Sequence, residues 1–275
     1  IHSMELEEAY VAFSDITTTL FPSASYGKGI GVTVGKKLLP IGRLNALHSE
    51  QLSFVDMPMV NQQFFGTDHN LSGEGALFSY LLPLPFFSQV ELGYWTASSE
   101  EEEDEESHSE IEYSNRIFNG RLWNGFDISD SQNVELGFSY VLGNASSSST
   151  EDQQLITGID AMFTQELSTD QSLRFHAEYY EAKYGEDDEA RETQTGSFVS
   201  AFYEINSMYD AGIRYGILNA HGDEGDDQTK WSLIANRQLT EASKLRVQYS
   251  TGDNVEDTVY LQFIFGMGPH SHVLQ

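Results

Sequence analysis

Cysteine is absent from the 275 residues, which excludes disulfides and thiolate metal sites. Basic residues are scarce: 14 Lys and Arg stand against 43 Asp and Glu, a formal net charge of −29. That balance excludes nucleic acid as a partner, because phosphate neutralisation needs clustered Lys and Arg. Cations are the expected small partners instead. No apolar run approaches the roughly 20 residues of a membrane helix. A membrane β-barrel is still open to such a chain, since its strands carry apolar residues only at alternate positions. The chain opens at Ile1 without a basic-then-apolar leader, so any secretion signal is expected to be removed or to lie outside it.

What is abundant is aromatic: 14 Tyr, 17 Phe and 3 Trp, or 12% of the chain. These residues fall into a period of two. In "NVELGFSYVL" Val134, Leu136, Phe138, Tyr140 and Leu142 share one face, and Glu135, Gly137 and Ser139 the other. In "LRFHAEYY" Leu173, Phe175, Ala177 and Tyr179 oppose Arg174, His176, Glu178 and Tyr180. Alternation of this kind predicts strands with one apolar and one polar face. Thirteen are expected, near 4–13, 24–36, 74–83, 86–97, 112–125, 132–143, 153–165, 172–183, 196–206, 209–219, 230–238, 244–251 and 257–267. Lengths of about 10 residues suit a tilted membrane crossing.

The connectors alternate as well. "DISDS" (127–131), "LSTDQ" (167–171), "NSM" (206–208) and "TEAS" (240–243) are short; 98–111, 144–152, 185–195 and 220–229 are longer and acidic. Seven consecutive carboxylates, Glu100 to Glu106, occupy the first long link, and the long links with 252–257 hold more than half of all Asp and Glu. Short turns at one end and long loops at the other are the pattern of outer-membrane barrels. The fold expectation is therefore all-β: one transmembrane antiparallel β-barrel domain over 1–275, of about 14–16 strands when complete. Because such barrels have even strand numbers, at least one strand is expected to precede Ile1. The acidic run is a solvated loop on this reading, or else a rim that concentrates cations or bridges anionic lipid through divalent ions.

One long stretch, 37–73, breaks the alternation, and its many apolar residues argue against its floating in water. It is expected to fold into the barrel mouth as a constriction, with Arg43, Asn45, His48 and Asp56 as its candidate residues. Arg43, next to Gly42, can tie the loop to a wall carboxylate or gate solute directly. The inward rows carry mixed charges: Glu91, Glu135, Asp160, Glu178 and Asp210 against Arg121, Arg174, Arg214, Lys244 and Arg246. Either these form a salt-bridged network filling a narrow barrel, or they line a water-filled pore with opposed walls. Histidine with carboxylate can bind zinc without cysteine. The candidates are His48 with Glu50 and Asp56, His69, His108, His221, His270 and His272. None has a dedicated spacing, so no cofactor is expected, only weak, exchangeable zinc or calcium. His176 near Glu178 has no partnered nucleophile, and an enzyme is not expected.

The segments "ELEEAYVAF" (5–13), "GRLNALHSEQLSFVDMPMV" (42–60), "FFG" (64–66), "LFSYLLPLPFF" (77–87) and "GPHSH" (268–272) resemble a bacterial outer-membrane family. That family carries the label zinc-regulated, TonB-dependent outer membrane receptor. The resemblance covers residues 5 to 95 and the last strand. It implies a β-barrel in the outer membrane with a link to zinc supply. A TonB-dependent transporter also needs a large barrel and a separate plug domain, and 275 residues hold neither. The expectation is thus a porin-like channel for small solutes or cations. Its alternative is a closed barrel that anchors a surface or periplasmic partner. Outer-membrane lipid is the expected surroundings in both cases, and a homo-oligomer or a protein partner is compatible with either.

Overall fold

A computed structural model of the chain describes residues 8–20, 28–66, 70–97, 113–145, 153–184, 192–220 and 226–266. It contains thirteen strands: β1 (Ala9–Phe13), β2 (Ile30–Leu38), β3 (Ser72–Leu81), β4 (Phe87–Ala97), β5 (Tyr113–Ser129), β6 (Gln132–Ala145) and β7 (Gln153–Ser168), then β8 (Gln171–Tyr184), β9 (Glu192–Asn206), β10 (Tyr209–Leu218), β11 (Gln228–Thr240), β12 (Ser243–Thr251) and β13 (Thr258–Phe265). Each pairs antiparallel with its sequence neighbours, so one sheet runs from β1 to β13 without a crossover. Among the described residues two short α-helices interrupt the order: α1 (Ile16–Leu20) and α2 (Met59–Phe65).

Local chemistry explains the turns. Asn206 accepts from the amides of Met208 and Tyr209 at 2.9 and 3.0 Å, an Asx turn that reverses the chain in two residues. Asp15 caps α1 by accepting from the Thr18 amide at 2.9 Å, as expected of an N-cap carboxylate. Gly66, at φ 110°, ends α2 in a conformation that a side chain rarely adopts.

The ladders gather the strand ends into two sets. Leu38, Ser72, Ala97, Tyr113, Ala145, Gln153, Tyr184, Glu192, Leu218, Gln228, Thr251 and Thr258 lie at one, here called the long-connector end. At the other end, the turns between β5 and β6, β7 and β8, β9 and β10, and β11 and β12 are two residues each. The acidic run falls outside the described residues. Several strands are longer than the expected 10: β5 has 17 residues and β7 has 16. A 16-residue strand extends about 53 Å; tilted by about 45° it rises ~37 Å, beyond a hydrocarbon core of about 30 Å.

The two faces of the sheet differ in kind. Outside stand Leu92, Phe138, Ile159, Val199, Leu233 and Leu261, each about half exposed or more. Inside stand Asn119, Arg121, Asp160, Glu178, Arg214 and Arg246, all nearly inaccessible. Water would favour the reverse arrangement, whereas lipid favours this one. No ladder joins β1 to β13 among the described residues. Both run from the long-connector end to the other, so joined directly they would be parallel.

Candidate functional site

The interior is occupied by the chain's own connector between β2 and β3. Leu38 pairs with Ser72, so the segment leaves and re-enters the wall at adjacent positions of the long-connector end. In place of a wholly irregular loop, it contains α2 and a one-turn 3-10 helix, Ser49–Gln51. Asn45 ties its two ends together. Its amide donates to the carbonyls of Leu39 and Leu71 at 2.8 and 3.0 Å, and its oxygen accepts from the Leu71 amide at 2.9 Å. An amide side chain suits this role because it carries two N–H donors beside a carbonyl acceptor.

The segment docks first on β6 and β8. The Gly42 amide donates to Ser139 Oγ at 2.9 Å, and the Arg43 amide to Glu178 Oε1 at 2.8 Å. The Arg43 guanidinium reaches Glu135 through one nitrogen, and Glu135 also accepts from Trp123 Nε1 at 2.9 Å. Gly42 sits at φ 53°, and a Cβ there would lie 1.7 Å from the Tyr180 hydroxyl. Glycine is therefore required by conformation and by space. Glu178 is the hub of this contact. It further accepts from Tyr180 at 2.7 Å and from Asn61 at 3.4 Å, and pairs with His176 at 2.9 Å. Directly across the ladder from it stands Asp160. The two carboxylates coexist because Arg121 grips Asp160 with two nitrogens, each at 2.9 Å, a bidentate geometry.

The second docking point lies further along the sheet, on β10, β11 and β12. Asp56 accepts from Arg214 at 2.5 Å, from Lys230 at 2.7 Å and from Gln248 at 2.6 Å. Arg214 also donates to the Asp56 carbonyl at 2.8 Å and lies 4.6 Å over the Phe54 ring. The Val55 amide donates to Gln248, and Arg246 donates to the Leu52 carbonyl, both at 2.8 Å. Burial alone would raise the Asp56 pKa. The charges of Arg214 and Lys230, with hydrogen bonds from Lys230 and Gln248, outweigh it and hold the carboxyl at about 2. The segment thus crosses the interior from one wall to the other, held by charge at both ends.

Apolar side chains fill the space nearest the long-connector end. Leu39, Ile41, Val60, Phe64 and Phe65 pack on Trp95, Ile117, Val141, Ile156 and Tyr180 of the wall. Burying five such side chains contributes on the order of 10 kcal/mol before ordering costs. Further along the lumen Phe54 packs on Phe202 and Ile234 as a second, smaller apolar cluster. Beside it a small cavity of about 40 Å³ remains between Phe54, Met57, Arg174, His176 and Arg214, room for one water. A larger cavity of about 290 Å³ lies between α2 and the wall at the long-connector end.

The other sequence candidates find their own partners. Arg174 pairs with Glu204 at 3.1 Å, and Asp210 with Lys244 at 3.3 Å. Glu91 stands opposite Arg121 in register and accepts from Gln89 at 2.9 Å. His48 meets Glu8 at 3.0 Å rather than Glu50 or Asp56, with which the sequence had grouped it, because Asp56 is drawn to the opposite wall. His69, His108, His221, His270 and His272 lie outside the described residues. Among the described residues, no three His, Asp or Glu side chains are gathered as a metal site. The sequence candidates omitted His176, Tyr180, Lys230 and Gln248. Alternation set His176 and Tyr180 on the polar face of their strand, but no local signal marked any of the four as a contact of a segment far away in the chain.

An apolar outer face, a charged inner face and a continuous antiparallel meander curled around its own connector together define a transmembrane antiparallel β-barrel. No family model matches the chain, and no curated protein is similar to it in sequence. Two solved structures are similar. One is a KdgM porin, 9% identical, with 72% of this chain and 94% of that chain covered at a TM-score of 0.33. The other is the Pseudomonas putida toluene transporter TodX, 12% identical, with 68% and 70% covered at a TM-score of 0.26. TM-scores and identities this low leave the functional reading to the chain's own geometry.

Proposed function

We propose that the protein is a porin-like channel of the bacterial outer membrane for small solutes, with residues 39–66 as its constriction. The observation that carries this reading is the docking of that segment. It enters from the long-connector end, crosses the lumen, and is fastened to the wall by ion pairs and hydrogen bonds at Glu135, Glu178, Arg214 and Gln248. A barrel that served only as a membrane anchor could be filled by apolar side chains, and buried ion pairs bring it little stability. Charged groups are what a path for hydrated solutes needs along its wall. The acidic excess favours cations over anions at the mouth. Zinc is the cation to try first, because of the family resemblance.

A second reading, a closed barrel that anchors a surface or periplasmic partner, is favoured by one feature: the fully buried apolar cluster around Phe64 and Trp95. Single-channel recording in a planar bilayer under a salt gradient separates the two. Stable steps with a cation-selective reversal potential support the channel, and a block by millimolar zinc ties zinc to the path. A correctly inserted but silent barrel supports the anchor.

A further inference from the structure

The larger cavity has a chemical character of its own. Met59 and Leu218 provide an apolar floor, Gln62 and Asn254 provide amides, and Lys230 and Glu256 are its two charged groups. The Lys230 side chain is only 13% exposed. Its ammonium has three donors, one of which goes to Asp56 at 2.7 Å. Glu256 is exposed, with no hydrogen bond or ion pair to another described residue. The cavity therefore offers spare N–H donors and a free carboxylate at once. Its volume of about 290 Å³ corresponds to about ten waters.

We infer that this cavity is a binding site for a small zwitterionic solute of the α-amino-acid type. The solute's carboxylate takes the free donors of Lys230, its ammonium takes Glu256, and its side chain lies on Met59 and Leu218. The charge of the whole chain, −29, sharpens the choice. A simple carboxylate is repelled on approach, whereas a net-neutral zwitterion is not. A simple cation can use Glu256 but leaves the Lys230 ammonium facing it, a like-charge contact. Only a molecule with both charges answers both residues. The site stands on the cavity alone and holds whether or not the lumen conducts.

The test is calorimetric titration of the full chain in detergent with L-alanine, propionate and ethylamine. Saturable alanine binding is expected, with both single-charge analogues at least tenfold weaker. Glu256→Gln, an exposed and nearly isosteric change, should weaken alanine about tenfold without weakening propionate. Absence of saturable alanine binding overturns the inference, as does equal binding of all three probes. An alanine affinity untouched by Glu256→Gln overturns it too.

Discussion

Replacing Asp56 by Asn tests the docking directly. The amide keeps the shape of the carboxylate and its contact with Gln248, but removes the charge that Arg214 and Lys230 share. A pKa of about 2 against an ordinary 3.8 corresponds to about 2 kcal/mol of net stabilisation of the charged form. Arg214, almost wholly buried, is then left without a carboxylate, and breaking one side of a buried pair costs about 3–5 kcal/mol. Even the smaller figure shifts the docked-to-released ratio about thirtyfold. The wall does not depend on Asp56, so the change should free residues 52–66 and leave the strands intact. Chymotrypsin would report it through faster cleavage at Phe54, Phe64 and Phe65, with an unaltered far-ultraviolet spectrum. Acid should do the same, but late. Because the folded pKa is depressed, the stabilisation is full above about pH 4 and is lost as the pH falls towards 2. Unchanged cleavage in the variant, or release of the segment already at pH 5, would refute the assignment of Asp56 as the clasp.

Other outcomes follow from the same geometry. Gly42→Ala forces a Cβ into the Tyr180 hydroxyl at positive φ and should loosen the first docking point by roughly 1–3 kcal/mol, read as protease cleavage within residues 39–47. Glu178→Gln removes the charge that four donors converge on. Hydrogen exchange at the Arg43 amide should then rise by about tenfold or more, since hydrogen bonds to charged groups contribute about 1.5–3 kcal/mol. Leu261→Arg places a charge on the outer face of β13, where Leu261 is 74% exposed. It should cost about 2–4 kcal/mol for folding into bilayers if that position is near the midplane, measured by urea titration in lipid vesicles, and much less in a short-chain detergent.

The wall was legible in the sequence to a degree that the interior was not. A strand writes its own faces at every second residue, so β10 and β12 begin and end within a residue of their expected limits, and Arg214 and Arg246, read from the alternation, are buried. β5 was underestimated by four residues at its end, because "FDIS" carries turn-forming residues that nevertheless pair with β6 across Asp127–Asn133. The helix α2 was missed because seven residues are too few to show a 3.6-residue period. Contacts such as Asp56 with Arg214, 158 positions apart, have no local signature at all. Whether a connector turns inward is visible in its apolar content; which wall residues it meets depends on how the sheet curls.

The connector between β2 and β3 begins and ends on one register pair of the ladder, Leu38 with Ser72, and Leu39 still donates to the Leu71 carbonyl at 2.9 Å. It is an insert with a closed footprint. Its length can vary without altering strand order or register, but any replacement must still answer Glu178, Arg214 and Arg246, which are buried on the wall. Wall and filling thus meet through wall side chains rather than through shared ladders. The wall answers to the lipid outside it, and the filling to the charges on its inner face.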